Sequence, residues 1–78
     1  MARLVFLGRL ADVAGAGEMT VAAGSLDEVI ARLPADLAEA LRGPRVRVAV
    51  NGAVLAPGVG TTVAEDDEVA FLPPVSGG

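Results

Sequence analysis

Cysteine, histidine, lysine and tyrosine are all missing from this 78-residue sequence. Without cysteine there is no disulfide, no thiolate nucleophile and no cysteine-based zinc site. Without histidine, no side chain titrates near neutral pH unless its pKa is strongly shifted. Acid–base or nucleophilic chemistry would then fall to carboxylates and a few hydroxyls. We therefore expect that the protein has no catalytic side chains of its own, no metal site and no bound cofactor.

Aromatic residues are scarce, and the formal net charge is −4 at pH 7. A negative chain without stacking platforms is a poor partner for the phosphates and bases of nucleic acids. Long apolar runs are also absent, since none approaches the roughly 20 residues that cross a bilayer. The apolar start of the chain is too short for a signal peptide. These absences predict a cytoplasmic protein that binds neither nucleic acid nor membrane.

The length allows one domain, and the hydrophobic content of 53% is well above that of a disordered chain. Alternation of apolar residues predicts strands over residues 2–7, 18–22, 45–51, 53–55 and 67–72. Asn51-Gly52 is the strongest hairpin signal between two of these strands. We expect a folded domain over residues 1–72 and an extended tail over residues 73–78.

The clearest helix start is Ser25, because Glu28 follows three residues later and completes a capping-box pattern. An apolar stripe at helical spacing continues to Leu33, and Pro34 interrupts it. A second short helix is predicted over residues 35–42, and a single helical turn over residues 10–14. Residues 57–62 are expected to form a loop, after which Val63 enters the core.

The element order is thus β-β-α-β-β-β, with one helical region crossing between two hairpins. A right-handed crossover makes the first and last strands parallel neighbours at the centre of the sheet. The predicted class is α+β with a β-grasp, or ubiquitin-like, arrangement: a mixed sheet of about five strands on one helical region.

The segment Pro73-Pro74-Val75-Ser76-Gly77-Gly78 is the first candidate for function. Six extended residues reach about 20 Å, and the two prolines favour a stiff exit from the body. Gly77 and Gly78 have no Cβ and can pass through a narrow channel. The Gly78 carboxylate is an unhindered acyl centre that a partner enzyme could activate. The alternative is an ordinary frayed chain end.

The second candidate is the outer face of the sheet, away from the helices. The predicted alternation places Val5, Leu7, Ala49, Ala70 and Leu72 there. Parallel pairing of the first and last strands would bring Leu7 and Leu72 side by side near the base of the tail. An exposed apolar patch on a small domain usually marks a binding surface, although loops could also cover it. The acidic run at residues 65–68 is expected to be a solvated turn, with an electrostatic handle for a basic partner as the alternative.

Residues 67–78 closely resemble the C-terminal signature of the MoaD/ThiS family, and most of all that of MoaD, the small subunit of molybdopterin synthase. The opening strand, residues 48–52 and Thr62-Val63 also match the family pattern in order and spacing. Leu72 departs from the pattern, because a second aromatic residue often stands there.

The resemblance implies a sulfur carrier in molybdenum cofactor biosynthesis. A MoeB-like, E1-type activating enzyme would use ATP to adenylate the Gly78 carboxylate, and sulfur from a donor protein would replace AMP to give a thiocarboxylate. The tail would then enter a MoaE-like large subunit, which supplies the catalysis, and donate sulfur to precursor Z (cyclic pyranopterin monophosphate). Two donations build the dithiolene of molybdopterin, and small and large subunits would form a heterotetramer.

Other functions share this fold and a terminal Gly-Gly. One is a ThiS-like carrier for thiamine, or a carrier for tRNA thiolation or cysteine synthesis; the Phe-x-Pro-Pro run at residues 71–74 favours the molybdopterin branch. Another is a ubiquitin-like modifier joined to proteins through Gly78. The last is a plain interaction domain whose terminus has no role.

Overall fold

The computed structural model describes residues 1–56 and 60–74. The predicted tail residues Val75, Ser76, Gly77 and Gly78, and residues 57–59 of the predicted loop, lie outside this part. The elements of the described ranges are β1 (Ala2–Phe6), α1 (Arg9–Ala14), β2 (Glu18–Val21), β3 (Gly24–Ser25), α2 (Leu26–Ala31), α3 (Ala35–Leu41), β4 (Arg47–Val50), β5 (Ala53–Val54), β6 (Thr62–Val63) and β7 (Glu68–Leu72).

The main sheet has the strand order β2-β1-β7-β4-β5. Strands β1 and β7 are parallel, with Leu4 opposite Val69 and Phe6 opposite Phe71. The other pairs in this sheet are antiparallel. The first and last strands are therefore central neighbours, which confirms the predicted β-grasp arrangement.

The three helices of the described ranges begin within one residue of their predicted starts, whereas α2 ends at Ala31, two residues before the end predicted at Leu33. The Ser25 hydroxyl accepts a hydrogen bond from the Glu28 backbone N–H (3.1 Å), and the Glu28 carboxylate accepts one from the Ser25 backbone N–H (3.4 Å). Pro34 is extended (φ −52°, ψ 144°) and separates α2 from α3. Among the described residues, none of the helices combines the length and the apolar character needed to cross a membrane.

A second, two-stranded sheet joins β3 to β6, with Gly24 opposite Val63 and Ser25 opposite Thr62. The prediction placed Thr62 in a loop and so missed this pairing. Two-residue strands are too short to show an alternating pattern, so only their partner defines them. Val63 is fully buried, as expected for a residue that fills the core from this position.

The core lies between the main sheet and the three helices of the described ranges. The rings of Phe6 and Phe71 stack there, with centroids 5.7 Å apart and an interplanar angle of 11°. The other large buried side chains come from the main sheet, the helices and, for Val63, strand β6: Leu4, Leu10, Leu26, Val29, Ile30, Leu37, Leu41, Val63 and Val69.

Candidate functional site

The candidate site is the end of β7, from which the predicted tail departs. This strand is paired on both sides, so its last residues are fixed by two ladders. Leu72 lies opposite Arg47 of β4, and the Leu7 backbone N–H donates to the Phe71 carbonyl (3.1 Å). The point at which the chain leaves the sheet is therefore set by the most central strand of the fold.

Gly8 and Pro73 meet at the base of the tail. Gly8 has φ +55° and ψ −137°, a region that side chains with a Cβ rarely occupy. A Cβ at this position would lie only 3.0 Å from Cγ of Pro73. Glycine thus allows the proline ring to sit directly against the turn between β1 and α1. Sequence reasoning missed this role, although a single glycine between a strand and a helix was its visible signal.

The four residues predicted to bind a partner lie together on the outer face of the sheet. Val5 is opposite Ala70. The next residues on the same face are Leu7, directly after β1, and Leu72 at the end of β7. Leu7 is 42% exposed, and Val5, Ala70 and Leu72 are half-buried. We call these four residues the outer patch. The described loops leave it accessible, and it ends beside the tail.

Two neighbours of the outer patch differ from the prediction. Ala49 faces the same side but is only 7% exposed, because Ala70 and Val54 flank it on the adjacent strands. Val54 is 62% exposed and extends the apolar surface toward the β5 edge. The prediction did not assign Val54 to a face of the sheet, because so short a strand has no alternating pattern that shows which side chains point outward.

Two grooves adjoin Pro73 and Pro74, which are themselves half-buried. The first, of about 320 Å³, lies on the helix side, where its apolar lining includes Leu10, Val13 and Val46. The second, of about 300 Å³, is lined by Pro44, Arg45, Arg47 and the two prolines. The first two residues of the predicted tail thus form walls of grooves at the surface of the domain.

Ion pairs divide the arginines of the described part into two groups. Arg3 pairs with Glu68 and approaches Glu18 (4.0 Å), and Arg32 approaches Glu28 (3.8 Å). No described carboxylate forms a salt bridge with the remaining four arginines, which are Arg9, Arg42, Arg45 and Arg47. Arg9 and Arg45 line the first groove, and Arg45 and Arg47 line the second. The end of the domain that carries the tail is therefore locally positive.

The acidic run lies at the opposite end of β7, about 13 Å away for four strand residues. Asp67 accepts hydrogen bonds from the Asn51 side chain (3.0 Å) and the Ala64 backbone N–H (2.9 Å). The bond from Asn51, and to a smaller extent that from Ala64, holds the pKa of the Asp67 carboxyl below its ordinary value of 3.8. The side-chain amide oxygen of Asn51 (Oδ1) in turn accepts a hydrogen bond from the Glu68 backbone N–H (2.9 Å). Asp67 thus braces a turn, as the solvated-turn prediction implies.

Comparison with known proteins gives a family. The sequence profile of the ThiS family matches residues 4–78. The crystal structure of SAMP1 from Haloferax volcanii is 27% identical and has a TM-score of 0.70, covering 99% of this chain and 98% of the other.

Two further structures show the same fold. The solution structure of small archaeal modifier protein 1 (SAMP1) from Methanosarcina acetivorans is 23% identical, with a TM-score of 0.77 and coverage of 99% and 95%. A second crystal structure of the H. volcanii protein is 24% identical, with a TM-score of 0.69 and coverage of 95% and 97%. No curated protein matches the sequence.

Proposed function

Because the chain belongs to the ThiS family, we propose that it is a sulfur carrier of the MoaD type, the small subunit of a molybdopterin synthase. The observation that carries this proposal is the Phe-Leu-Pro-Pro-Val-Ser-Gly-Gly run at residues 71–78. Its first two residues end the central strand of a β-grasp sheet. The family profile also extends through Gly78.

In this proposal the chemistry takes place at the Gly78 carboxyl group. A free carboxylate is a poor acyl donor, so an E1-type activating enzyme of the MoeB kind first joins it to the α-phosphate of ATP and releases pyrophosphate. Sulfide delivered by a donor protein then attacks the acyl carbon, the carbon–oxygen bond to AMP breaks, and a thiocarboxylate remains. ATP is a substrate of the activating enzyme and is not bound by this chain. In this proposal the steps take place in the cytoplasm.

The described residues support the role of a presented chain end. Pro73 is held between the end of β7 and the turn at Gly8, so the tail has a fixed origin. The outer patch adjoins this origin and offers an apolar surface to the activating enzyme and to a MoaE-like large subunit in turn. The carrier then supplies position and docking, while its partners supply the catalytic groups and the precursor Z site.

The decisive measurement is the intact mass of the chain after incubation with an activating enzyme, ATP and a sulfur source. The proposal predicts the gain expected when one oxygen is replaced by one sulfur. A chain from which Gly78 has been deleted is the matched control and should show no gain. The thiocarboxylated chain should then transfer sulfur to molybdopterin partners; transfer only to a thiazole-forming partner would assign it to the ThiS branch instead.

A second candidate is a ubiquitin-like modifier of other proteins. The similarity to SAMP1 of H. volcanii over nearly the whole length of both chains favours it. This function uses the same activated Gly78, but the acyl group would pass to a lysine of a target protein. Targets isolated from cells would carry the mass of the chain on a lysine, and loss of Gly78 would abolish the modification.

A further inference from the structure

The first groove is distinct from the outer patch, because the two lie on opposite sides of the sheet. Its apolar lining includes Leu10 and Val13 of α1, Ala40 of α3, and Pro44 and Val46 from the segment before β4. Val13 is 40% exposed and lines this concave surface, so it offers apolar area to an occupant. Pro73 and Pro74 complete the lining, so whatever occupies the groove touches the base of the tail.

The charge of this groove is positive, although the whole chain carries −4. Arg9 and Arg45 both line it, and its lining contains no described acidic residue. Neither arginine has a salt-bridge partner among the described carboxylates. A guanidinium group can hold a carboxylate through two parallel hydrogen bonds. An occupant with matching chemistry therefore has an apolar side chain close to carboxylates.

We propose that the groove docks an acidic segment of the activating enzyme that receives the tail, an inference that rests on the proposed function. An apolar side chain of that segment sits on Val13 and Val46, over the nearly buried Leu10, and its carboxylates pair with Arg9 and Arg45. The enzyme then holds the base of the tail from the helix side through this groove and from the sheet side through the outer patch. Charge complementarity of this kind mainly accelerates encounter and fixes orientation.

The test is the KM for the carrier in ATP-dependent adenylation by the activating enzyme of the same organism. Reversing both charges in Arg9→Glu/Arg45→Glu should raise this KM about tenfold at low salt and leave kcat nearly unchanged. Arg32→Glu/Arg42→Glu is the control for net charge, since it makes the same change of charge at exposed positions outside the groove. Because Arg32 approaches Glu28, circular dichroism checks that this control keeps its fold. The KM of the unmodified chain should rise with salt more steeply than that of the groove variant. Equal KM values for the groove and control variants would overturn the proposal.

A second measurement separates this inference from the proposed function. A blocked synthetic peptide with one leucine between glutamates is titrated into the full chain, and backbone amide NMR shifts are followed. Shifts should centre on Leu10, Val13 and Val46 and disappear in Arg9→Glu/Arg45→Glu. If no activating enzyme adenylates the unmodified chain, the proposed function fails, and this titration still decides the chemistry of the groove. Absence of these shifts, or shifts centred elsewhere, would overturn the inference.

Discussion

Replacing Gly8 with alanine should destabilise the domain and disturb the base of the tail at the same time. The backbone at φ +55°, ψ −137° costs about 1–3 kcal/mol for a residue with a Cβ. The new methyl group would also lie 3.0 Å from Cγ of Pro73, and displacing the ring adds about 1 kcal/mol. The total of about 3 kcal/mol is a large share of the stability of a domain this small. It corresponds to a fall in Tm of about 12–24 °C.

Two other glycines serve as controls in urea or thermal unfolding. Gly15 has φ +76° but no atom within 4 Å of a built Cβ, so Gly15→Ala should cost only the left-handed conformation, about 1 kcal/mol. Gly17 has neither a positive φ nor a close neighbour, and Gly17→Ala should change the free energy of unfolding by less than about 0.5 kcal/mol. The three values separate backbone strain from contact.

A double-mutant cycle with Pro73→Ala isolates the contact between Gly8 and the proline. Alanine has no Cγ, so Gly8→Ala should cost about 1 kcal/mol less in the Pro73→Ala background than in the unmodified chain. If Gly8→Ala costs no more than Gly15→Ala, or costs the same in both backgrounds, the methyl group does not meet the proline. The reasoning that Gly8 positions the tail would then be refuted.

Three further changes test the outer patch, the helix start and the acidic turn. Leu7→Asp combined with Leu72→Asp should abolish partner binding in calorimetry while circular dichroism shows a retained fold; unchanged affinity would contradict a docking role. Ser25→Ala should lower the free energy of unfolding by about 1 kcal/mol, measured by urea titration, because α2 loses its cap. The pKa of Asp67 is lowered in the folded state. Its contribution to the free energy of unfolding is therefore complete above the ordinary pKa of 3.8 and is lost as the pH falls below 3.8 toward the pKa of the folded state. Asp67→Asn should therefore reduce the loss of stability between neutral pH and pH values below 3.8, and equal acid sensitivity of both chains would count against the bonds to Asn51.

The parts of the fold that the sequence predicted are those with long or chemically specific local patterns. The alternation in β1 and β7 fixes which residues face the helices, and a single crossover rule then makes the two strands parallel neighbours. The pair Ser25 and Glu28 predicts the start of α2, because the capping box is a local hydrogen-bond pattern with a fixed spacing. The family resemblance, carried by residues 67–78, was likewise confirmed.

The parts that escaped prediction depend on contacts between residues far apart in the chain. Thr62 pairs with Ser25 in a sheet of two-residue strands. Strands this short contain no alternating pattern from which the pairing could be predicted. Ala49 faces the outer side as expected, but its neighbours on both adjacent strands bury it. The contact of Gly8 with Pro73 joins residues from opposite ends of the sequence. The outer patch was predictable because its position depends only on which side chains of a strand share a face and on the register between strands. The position of the grooves depends on how α1 packs against residues before β4, which the sequence does not show.

The position of β7 fits the proposed carrier function, in which the domain presents its chain end and its partners supply the catalytic groups. A tail that followed β5 would leave from an edge strand with one partner and two paired residues. The tail proposed here instead leaves a strand held by β1 and β4 together, so a force on it is shared by two ladders and the stacked rings of Phe6 and Phe71. A partner that docks on the outer patch therefore contacts a body whose geometry relative to Pro73 is fixed. Under the proposed function, accurate presentation of the Gly78 carboxyl would then require only that the partner guide the few residues beyond Pro74.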